Sequence, residues 1–134
     1  MHNIKILTIG KTKEPWLIEA LAEYEKRLTP HAKISFELVR SDDALVQKAS
    51  SEPNPICLDP TGQSHTSESF AALITTHSRH TFVIGGADGL PPPLRTYPLL
   101  SLSPLTFTHQ VTRLILYEQI YRAFEINRGS HYHK

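Results

Sequence analysis

The sequence predicts a single α/β domain, residues 1–134, in which a mostly parallel sheet is flanked by helices. Two observations lead to this fold class. Along the chain, segments with strand-like apolar patterns alternate with segments whose apolar residues recur at helical spacing. The chain has 134 residues, which is enough for one sizeable core but short for two domains.

The first part of the chain predicts two strands, each followed by a helix. Residues 4–10 (IKILTIG) alternate apolar and polar side chains and end on glycine, as a strand often does. Pro15 suits the first turn of the next helix, where its missing N–H is no loss. Residues 34–40 (ISFELVR) alternate again, and Asp42 or Asp43 could cap a short helix after them.

The second part continues the same alternation. Residues 56–59 (ICLD) form a short apolar run, and Ser67 can cap the helix that follows. Residues 81–86 (TFVIGG) are continuously apolar, which is typical of a buried parallel strand. Residues 99–102 (LLSL) predict a fifth strand.

The longest helical pattern runs from Thr108 to about Asn127. Its apolar residues cover more than one narrow face, since Leu116, Ile120 and Ala123 extend the main stripe. A helix that apolar must be buried on several sides, and in a small chain a partner subunit is a natural way to bury it. The main stripe consists of Val111, Leu114, Ile115, Tyr121 and Phe124.

Charge and cysteine content set limits on function. The net charge is +1, but residues 1–40 hold seven Lys/Arg against five Asp/Glu, and residues 109–134 hold four against two. If the two ends meet in space, a modest basic surface results. The single cysteine, Cys57, lies in an apolar run and is expected to be a buried small hydrophobe. With no signal-peptide pattern and no membrane-spanning stretch, we expect a cytoplasmic protein that contacts no membrane.

Three strand ends offer a ligand site, because open parallel sheets bind ligands beyond their carboxyl edges. They are residues 58–60 (LDP), 85–89 (GGADG) and 102–107 (LSPLTF). The loop IGGADG (residues 84–89) matches neither the dinucleotide nor the Walker phosphate pattern. It is either a turn that needs a positive φ or a place where backbone approaches a ligand closely. The run LSPLTF (residues 102–107) offers apolar side chains and backbone polar groups, which suit an uncharged ring such as adenine. It could also be an ordinary connection, with Thr108 as a helix cap.

The tail RGSHYHK (residues 128–134) combines basic and aromatic residues. Its His-x-His pattern has no matching cysteine or carboxylate set, so we expect no metal site. Gly129 would close the long helix, which suggests a tail that folds back rather than a disordered end. Within that helix, Glu118 and Arg122 stand at i, i+4 and can form an ion pair.

These blocks together resemble a known family. The stretches FVIGGADGL, LSPLTFTHQVTRLILYEQIYRAFEI and RGSHYHK, with ILTIGKTKEPWLIEALAEYEKRL at the start, are similar to the bacterial large-subunit rRNA pseudouridine-N3 methyltransferases of the SPOUT class. The resemblance covers both ends and most of the chain. It implies a C-terminal trefoil knot, which composition and periodicity could not have suggested.

The resemblance also implies a cofactor, a substrate and partners. S-adenosyl-L-methionine would bind in the knot, and its methyl group would pass to N3 of a pseudouridine in 23S rRNA of the assembled 70S ribosome. The long last helix would pack against its counterpart in a homodimer. The implied cofactor contacts are Leu58, Gly85, Leu102, Ser103, Pro104, Leu105, Thr106 and Phe107.

For catalysis, the resemblance points to the end of the chain. His133 and Tyr132 are candidates for handling the imide proton, with Arg128 or Arg122 as the electrostatic partner and Glu118 to orient them. The tail is expected to cross to the cofactor site of the partner subunit.

This sequence departs from the family pattern in two places. Residues 41–55 (SDDALVQKASSEPNP) replace a longer Lys/Arg- and Gly-rich stretch, and Thr108 stands where the family typically has proline. Two alternatives therefore stay open: a non-catalytic RNA- or ribosome-binding module of the same fold, and a SPOUT methyltransferase that acts on another RNA nucleotide.

Overall fold

The computed structural model describes all 134 residues and contains five strands and four helices, with a short 3-10 helix at Pro92–Thr96. Strands and helices follow each other as the sequence predicts, although most strand bounds differ by a few residues. In chain order the elements are β1 (His2–Ile9), α1 (Pro15–Leu28), β2 (Ala32–Val39), α2 (Asp42–Ser50), β3 (Pro55–Ser64), α3 (Ser67–Ile74), β4 (Arg79–Ile84), β5 (Leu99–Ser101) and α4 (His109–Asn127).

The strands form one sheet in the order β2-β1-β4-β3-β5, and every pair in it is parallel. β3 is longer than the predicted run because its pairing with β5 resumes at Gln63 after an irregularity that follows Leu58. Gly62 makes this second contact possible, since a Cβ there would lie 2.6 Å from the carbonyl carbon of Leu99. The carboxyl ends of β3, β4 and β5 therefore meet at one edge.

The sheet is covered on both faces, as in other α/β domains. A cluster of 19 buried residues joins one face to α1, α3 and α4. A smaller cluster of seven joins the other face to α2 and to the segment around Leu94. Cys57 belongs to the smaller cluster, and burial raises the pKa of its thiol to about 12, so the expectation of an inert buried cysteine is confirmed.

Two predicted helix caps are wrong by one residue. Ser41, not Asp42 or Asp43, caps α2, and its hydroxyl accepts a hydrogen bond from the Ala44 N–H at 3.1 Å. Thr66, not Ser67, caps α3 and takes part in a reciprocal capping box with Ser69. A cap needs extended backbone just before the first helical residue, and in both cases that conformation falls one position earlier than expected.

The buried face of α4 also differs from the predicted stripe. Of the five stripe residues only Phe124 is buried, while the other four are half-buried. The buried residues are instead Leu116, Ile120 and Ala123, which extend the predicted stripe. They are buried because α1 and α3 pack against that side of the helix. Along this helix and the others, no segment is both long and apolar enough to cross a membrane.

Candidate active site

A cavity of about 140 Å³ lies at the carboxyl ends of β3, β4 and β5. Three chain segments form its walls: the irregular middle of β3 at residues 58–60, the glycine loop after β4, and the loop between β5 and α4. The lining residues are Leu58, Asp59, Pro60, Ile84, Gly85, Gly86, Ala87, Gly89, Leu90, Leu100, Leu102, Ser103, Leu105, Thr106, Phe107, His109 and Thr112.

The structure brings seven of the eight predicted cofactor contacts to this cavity. Leu58 comes from within β3, just before its irregularity, Gly85 directly follows β4, and five more come from the run 102–107. The exception is Pro104, which does not line the cavity. Leu105 is 70% exposed, so an apolar side chain stands at the mouth without a protein partner to cover it.

The loop 102–107 keeps many of its backbone polar groups available. None of its residues takes part in a backbone–backbone hydrogen bond. Two serine hydroxyls hold its shape instead: Ser101 Oγ donates to the Ser103 carbonyl at 3.0 Å, and Ser103 Oγ accepts from the Leu105 N–H at 3.0 Å. An uncharged wall with unpaired backbone donors and acceptors fits an adenine ring, which needs apolar contact and a few hydrogen bonds.

In the glycine loop, the interpretation as a turn that needs a positive φ is confirmed, while the close approach of backbone to a ligand stays a prediction. Gly89 has φ +86°, and its N–H donates to the Gly86 carbonyl at 3.0 Å, which makes a tight turn. Gly85 has no positive φ, but a Cβ there would lie 2.5 Å from the Gly89 oxygen. Gly85 is therefore needed because its backbone packs closely against the backbone of the turn. Gly85 also lines the cavity.

Asp59 fixes the wall that β3 contributes. Its carboxylate accepts from Arg95 Nη2 at 3.0 Å and from the Thr61 N–H at 3.0 Å, with a further short contact from the Thr61 hydroxyl. Burial alone would raise the pKa of Asp59, but these hydrogen bonds outweigh burial and hold the pKa below its ordinary value. The ion pair ties the 3-10 helix to the end of β3.

Sequence reasoning missed Arg95, His109 and Thr112 as site residues. It placed Asp59 at a predicted strand end where a ligand could bind but gave it no role, because its partner is 36 residues away in the chain. His109 and Thr112 lie in the first turn of α4, directly after the predicted loop. Thr108 does cap this helix, accepting from the Val111 N–H at 3.3 Å, so the prediction of a cap is confirmed.

Four of the five predicted catalytic residues form one network on the surface of α4. Glu118 pairs with Arg122, at 2.9 Å from Oε2 to Nη2, and accepts from the Tyr132 hydroxyl at 2.6 Å. Arg122 Nη1 lies 3.0 Å from His133 Nδ1, and His133 Nε2 lies 2.6 Å from Glu68 Oε1. A guanidinium can only donate, so Nδ1 accepts and Nε2 carries the hydrogen that is donated to Glu68.

The tail thus folds back, as Gly129 with φ +75° allows, but onto its own helix rather than onto the cavity. Arg128 stands apart from the network and pairs with Glu125, at 3.0 Å from Nη2 to Oε1. None of the five predicted catalytic residues lines the cavity of its own chain. Burial, reinforced by Glu118, raises the pKa of Tyr132 to about 12, so its phenol stays protonated at neutral pH.

The fold and the cavity define an α/β protein whose parallel sheet has a cavity suited to a small ligand at its carboxyl edge. Residues 2–133 match the family described as "Predicted SPOUT methyltransferase". The chain therefore belongs to the SPOUT methyltransferase family, and the resemblance seen in the sequence is confirmed. No group of three or more His, Cys, Asp or Glu side chains is placed to hold a metal ion.

Relatives match along the whole chain. A protein of Protochlamydia amoebophila named "Ribosomal RNA large subunit methyltransferase H" is 50% identical over 100% of both chains. A protein of the same name from Symbiobacterium thermophilum is 38% identical over 98% of this chain and 99% of its own. Another, from Desulforamulus reducens, is 41% identical over 100% of both chains. These two alignments span 160 positions, against 140 for the first, so this chain is shorter than some relatives by a larger margin than it is shorter than others.

A solved structure supports the fold alone. The structure of a "probable methylase family protein" from Haemophilus influenzae Rd KW20 superposes with a TM-score of 0.54 at 13% sequence identity, covering 95% of this chain and 66% of that one. At this identity the likeness concerns the arrangement of strands and helices and not the chemistry.

Proposed function

We propose that this protein transfers the methyl group of S-adenosyl-L-methionine to large-subunit rRNA in the cytoplasm, and that the acceptor is N3 of a pseudouridine in 23S rRNA of the assembled 70S ribosome. The observation that carries the proposal is the 50% identity, over the full length of both chains, to a relative named as a large-subunit rRNA methyltransferase. The trefoil knot at the C-terminal end is part of the same proposal.

The cavity supports the choice of cofactor. Its walls are uncharged apart from Asp59, which is already paired with Arg95, and the loop 102–107 has unpaired backbone groups. The adenosine would lie against Leu102 and Leu105, where apolar contact and backbone hydrogen bonds are available together. When bound, the sulfonium supplies an electrophilic methyl group, so the protein has chiefly to align it with the acceptor.

The acceptor nitrogen must lose a proton, and the tail provides groups for that task. Tyr132 is protonated at neutral pH and acts as a hydrogen-bond donor rather than as a base. His133 is the better candidate for receiving the N3 proton, once its Nδ1 is released from Arg122. Arg122 and Arg128 would then stabilise the negative charge that develops on the imide carbonyl oxygens.

A homodimer would bring the tail to the cavity. In one chain the tail network and the cavity are formed by different parts of α4, so the catalytic groups of one copy would act at the cavity of the other. The half-buried stripe of Val111, Leu114 and Ile115 gives α4 an apolar face that its own chain covers only in part. Burial of that face against a second copy is favourable at roughly 25 cal/mol per Å².

The test is methyl transfer from radiolabelled S-adenosyl-L-methionine to 70S ribosomes and to isolated subunits, followed by nucleoside mass spectrometry. The proposal expects N3-methylpseudouridine from 70S ribosomes. Methylation of a different base would favour the second alternative, a SPOUT methyltransferase with another target. If calorimetry detected no cofactor binding even at millimolar concentration, the non-catalytic binding module would be favoured instead.

A further inference from the structure

A second depression lies beside the cofactor cavity and has no role in the function proposed above. It is an open groove of about 460 Å³ between α1, the end of β2 and α4. We call it the Arg113 groove. It is lined by Lys11, Thr12, Ile18, Leu21, Ala22, Glu25, Phe36, Leu38 and Arg113.

Arg113 is a buried cation without a carboxylate partner. Its residue is 7% exposed, and it forms no salt bridge. The guanidinium donates to Thr12 Oγ1 at 2.7 Å and to the Tyr117 hydroxyl at 3.5 Å, lies over the ring of Phe36, and leaves the buried Nε without any partner. Buried charges are normally paired with an opposite charge, so the positive charge that Arg113 places at the groove can attract an anion that enters the groove.

The rest of the groove has two kinds of surface. Lys11 is exposed on the rim and makes no ion pair. Glu25 is the one acidic residue of the groove, and it accepts from the Tyr117 hydroxyl at 3.4 Å. Ile18 and Leu38 are 50% and 40% exposed and form an apolar wall. A flat apolar wall beside an excess of positive charge fits a nucleotide, whose base stacks while its phosphate meets the cations.

The groove also lies next to the cofactor cavity. A small recess between them is lined by Lys11, Thr12 and Arg113 from the groove and by His109, which also lines the cavity. A chain of nucleotides could therefore pass from one depression to the other over the first turn of α4.

We propose that the Arg113 groove binds a nucleotide of the RNA substrate that neighbours the methylated one, with its phosphate near Lys11 and Arg113 and its base against Ile18 and Leu38. This inference rests on the proposed function only in taking RNA as the substrate. It assigns recognition of the flanking nucleotide to surface that belongs to α1 and β2 rather than to the tail.

The experiment measures the affinity of the protein for 70S ribosomes by co-sedimentation at several salt concentrations. Lys11→Gln should weaken binding by roughly tenfold, as expected for one charge-assisted contact. It should also lower the slope of log affinity against log salt by about 0.7 to 0.9, the value for one phosphate contact. Lys33→Gln removes an exposed lysine at the opposite end of the sheet and should change neither quantity. Arg113→Gln should act in the same direction as Lys11→Gln, and Arg113→Lys should retain the salt slope.

The outcomes separate this inference from the proposed function, because the measurement does not need turnover. Loss of affinity in Lys11→Gln together with a wild-type protein that methylates no RNA would support the groove and refute the function. Methyl transfer by wild type, with an unchanged salt slope in Lys11→Gln, would overturn the groove. A shift of the monomer–dimer equilibrium in Lys11→Gln with unchanged ribosome affinity would overturn it as well, since the groove would then be a contact between two copies.

Discussion

Replacing Gly85 with alanine tests whether close backbone packing behind the cavity is required for cofactor binding. The new Cβ would lie 2.5 Å from the Gly89 oxygen and 2.9 Å from the Leu90 nitrogen. Both neighbours are backbone atoms of a turn, so the loop has to move rather than a flexible side chain. Overpacking of this kind costs about 1–3 kcal/mol. We expect a loss of that size in the free energy of unfolding, together with a large loss of affinity for S-adenosyl-L-methionine.

Gly129→Ala is the matched control for this substitution. Gly129 has φ +75° and nothing within 4 Å of the position of a Cβ, so alanine there is strained by about 1–2 kcal/mol but meets no neighbour. Urea unfolding gives the stability of both variants, and calorimetry gives their cofactor affinity. The control should lose stability and keep wild-type affinity. If Gly85→Ala also kept wild-type affinity, the placement of the cofactor against this loop would be refuted.

Three further predictions concern charge, pH and the tail. Asp59→Asn should cost about 1 kcal/mol at pH 7, since Arg95 is 46% exposed. The loss should begin to shrink as pH falls below about 4, where the unfolded carboxyl becomes protonated, and should disappear only below the lowered pKa of the folded wild-type carboxyl; urea unfolding from pH 7 down to pH 2 measures both. His80 is buried and burial lowers its pKa, so wild-type stability should fall as pH drops below about 6.5. His80→Gln should fall less steeply in the same range, and thermal unfolding in which the two curves stayed parallel would contradict this. Deleting residues 128–134 should abolish methyl transfer and leave the sedimentation of the dimer unchanged; an active truncated protein would disprove the role of the tail.

The cavity was predictable because it follows from local patterns. Short apolar runs that alternate with helical segments imply a parallel sheet, and a parallel sheet collects the ends of its strands at one edge. Once the order of elements was predicted, Leu58, Gly85 and the loop 102–107 had to lie near that edge. The chain needs no long-range information to bring them together beyond the pairing of neighbouring strands.

The other features of the site depend on contacts between side chains that are far apart in the sequence, and no local sequence pattern specifies such contacts. His133 meets Glu68 over 65 residues of chain, and Asp59 meets Arg95 over 36. The inward face of α4 was mispredicted for a related reason. The helix is apolar on several sides, so the positions of α1 and α3, and not the periodicity of α4, decide that Leu116 is buried while Leu114 stays half-buried.

The contact between Thr12 and Arg113 shows where the two basic ends of the chain lie in the fold. The two mildly basic ends of the chain meet there, at 2.7 Å from Oγ1 to Nη1 and across 101 residues. Their cations border the Arg113 groove, while the cavity next to it is lined by a loop without charge. A neutral ring and a phosphate need opposite surroundings: the ring needs apolar contact, and the phosphate needs cations. Placing the two surfaces side by side, with His109 between them, would allow the proposed cofactor and a polyanionic RNA to be held close together without the RNA phosphates competing for the cofactor cavity.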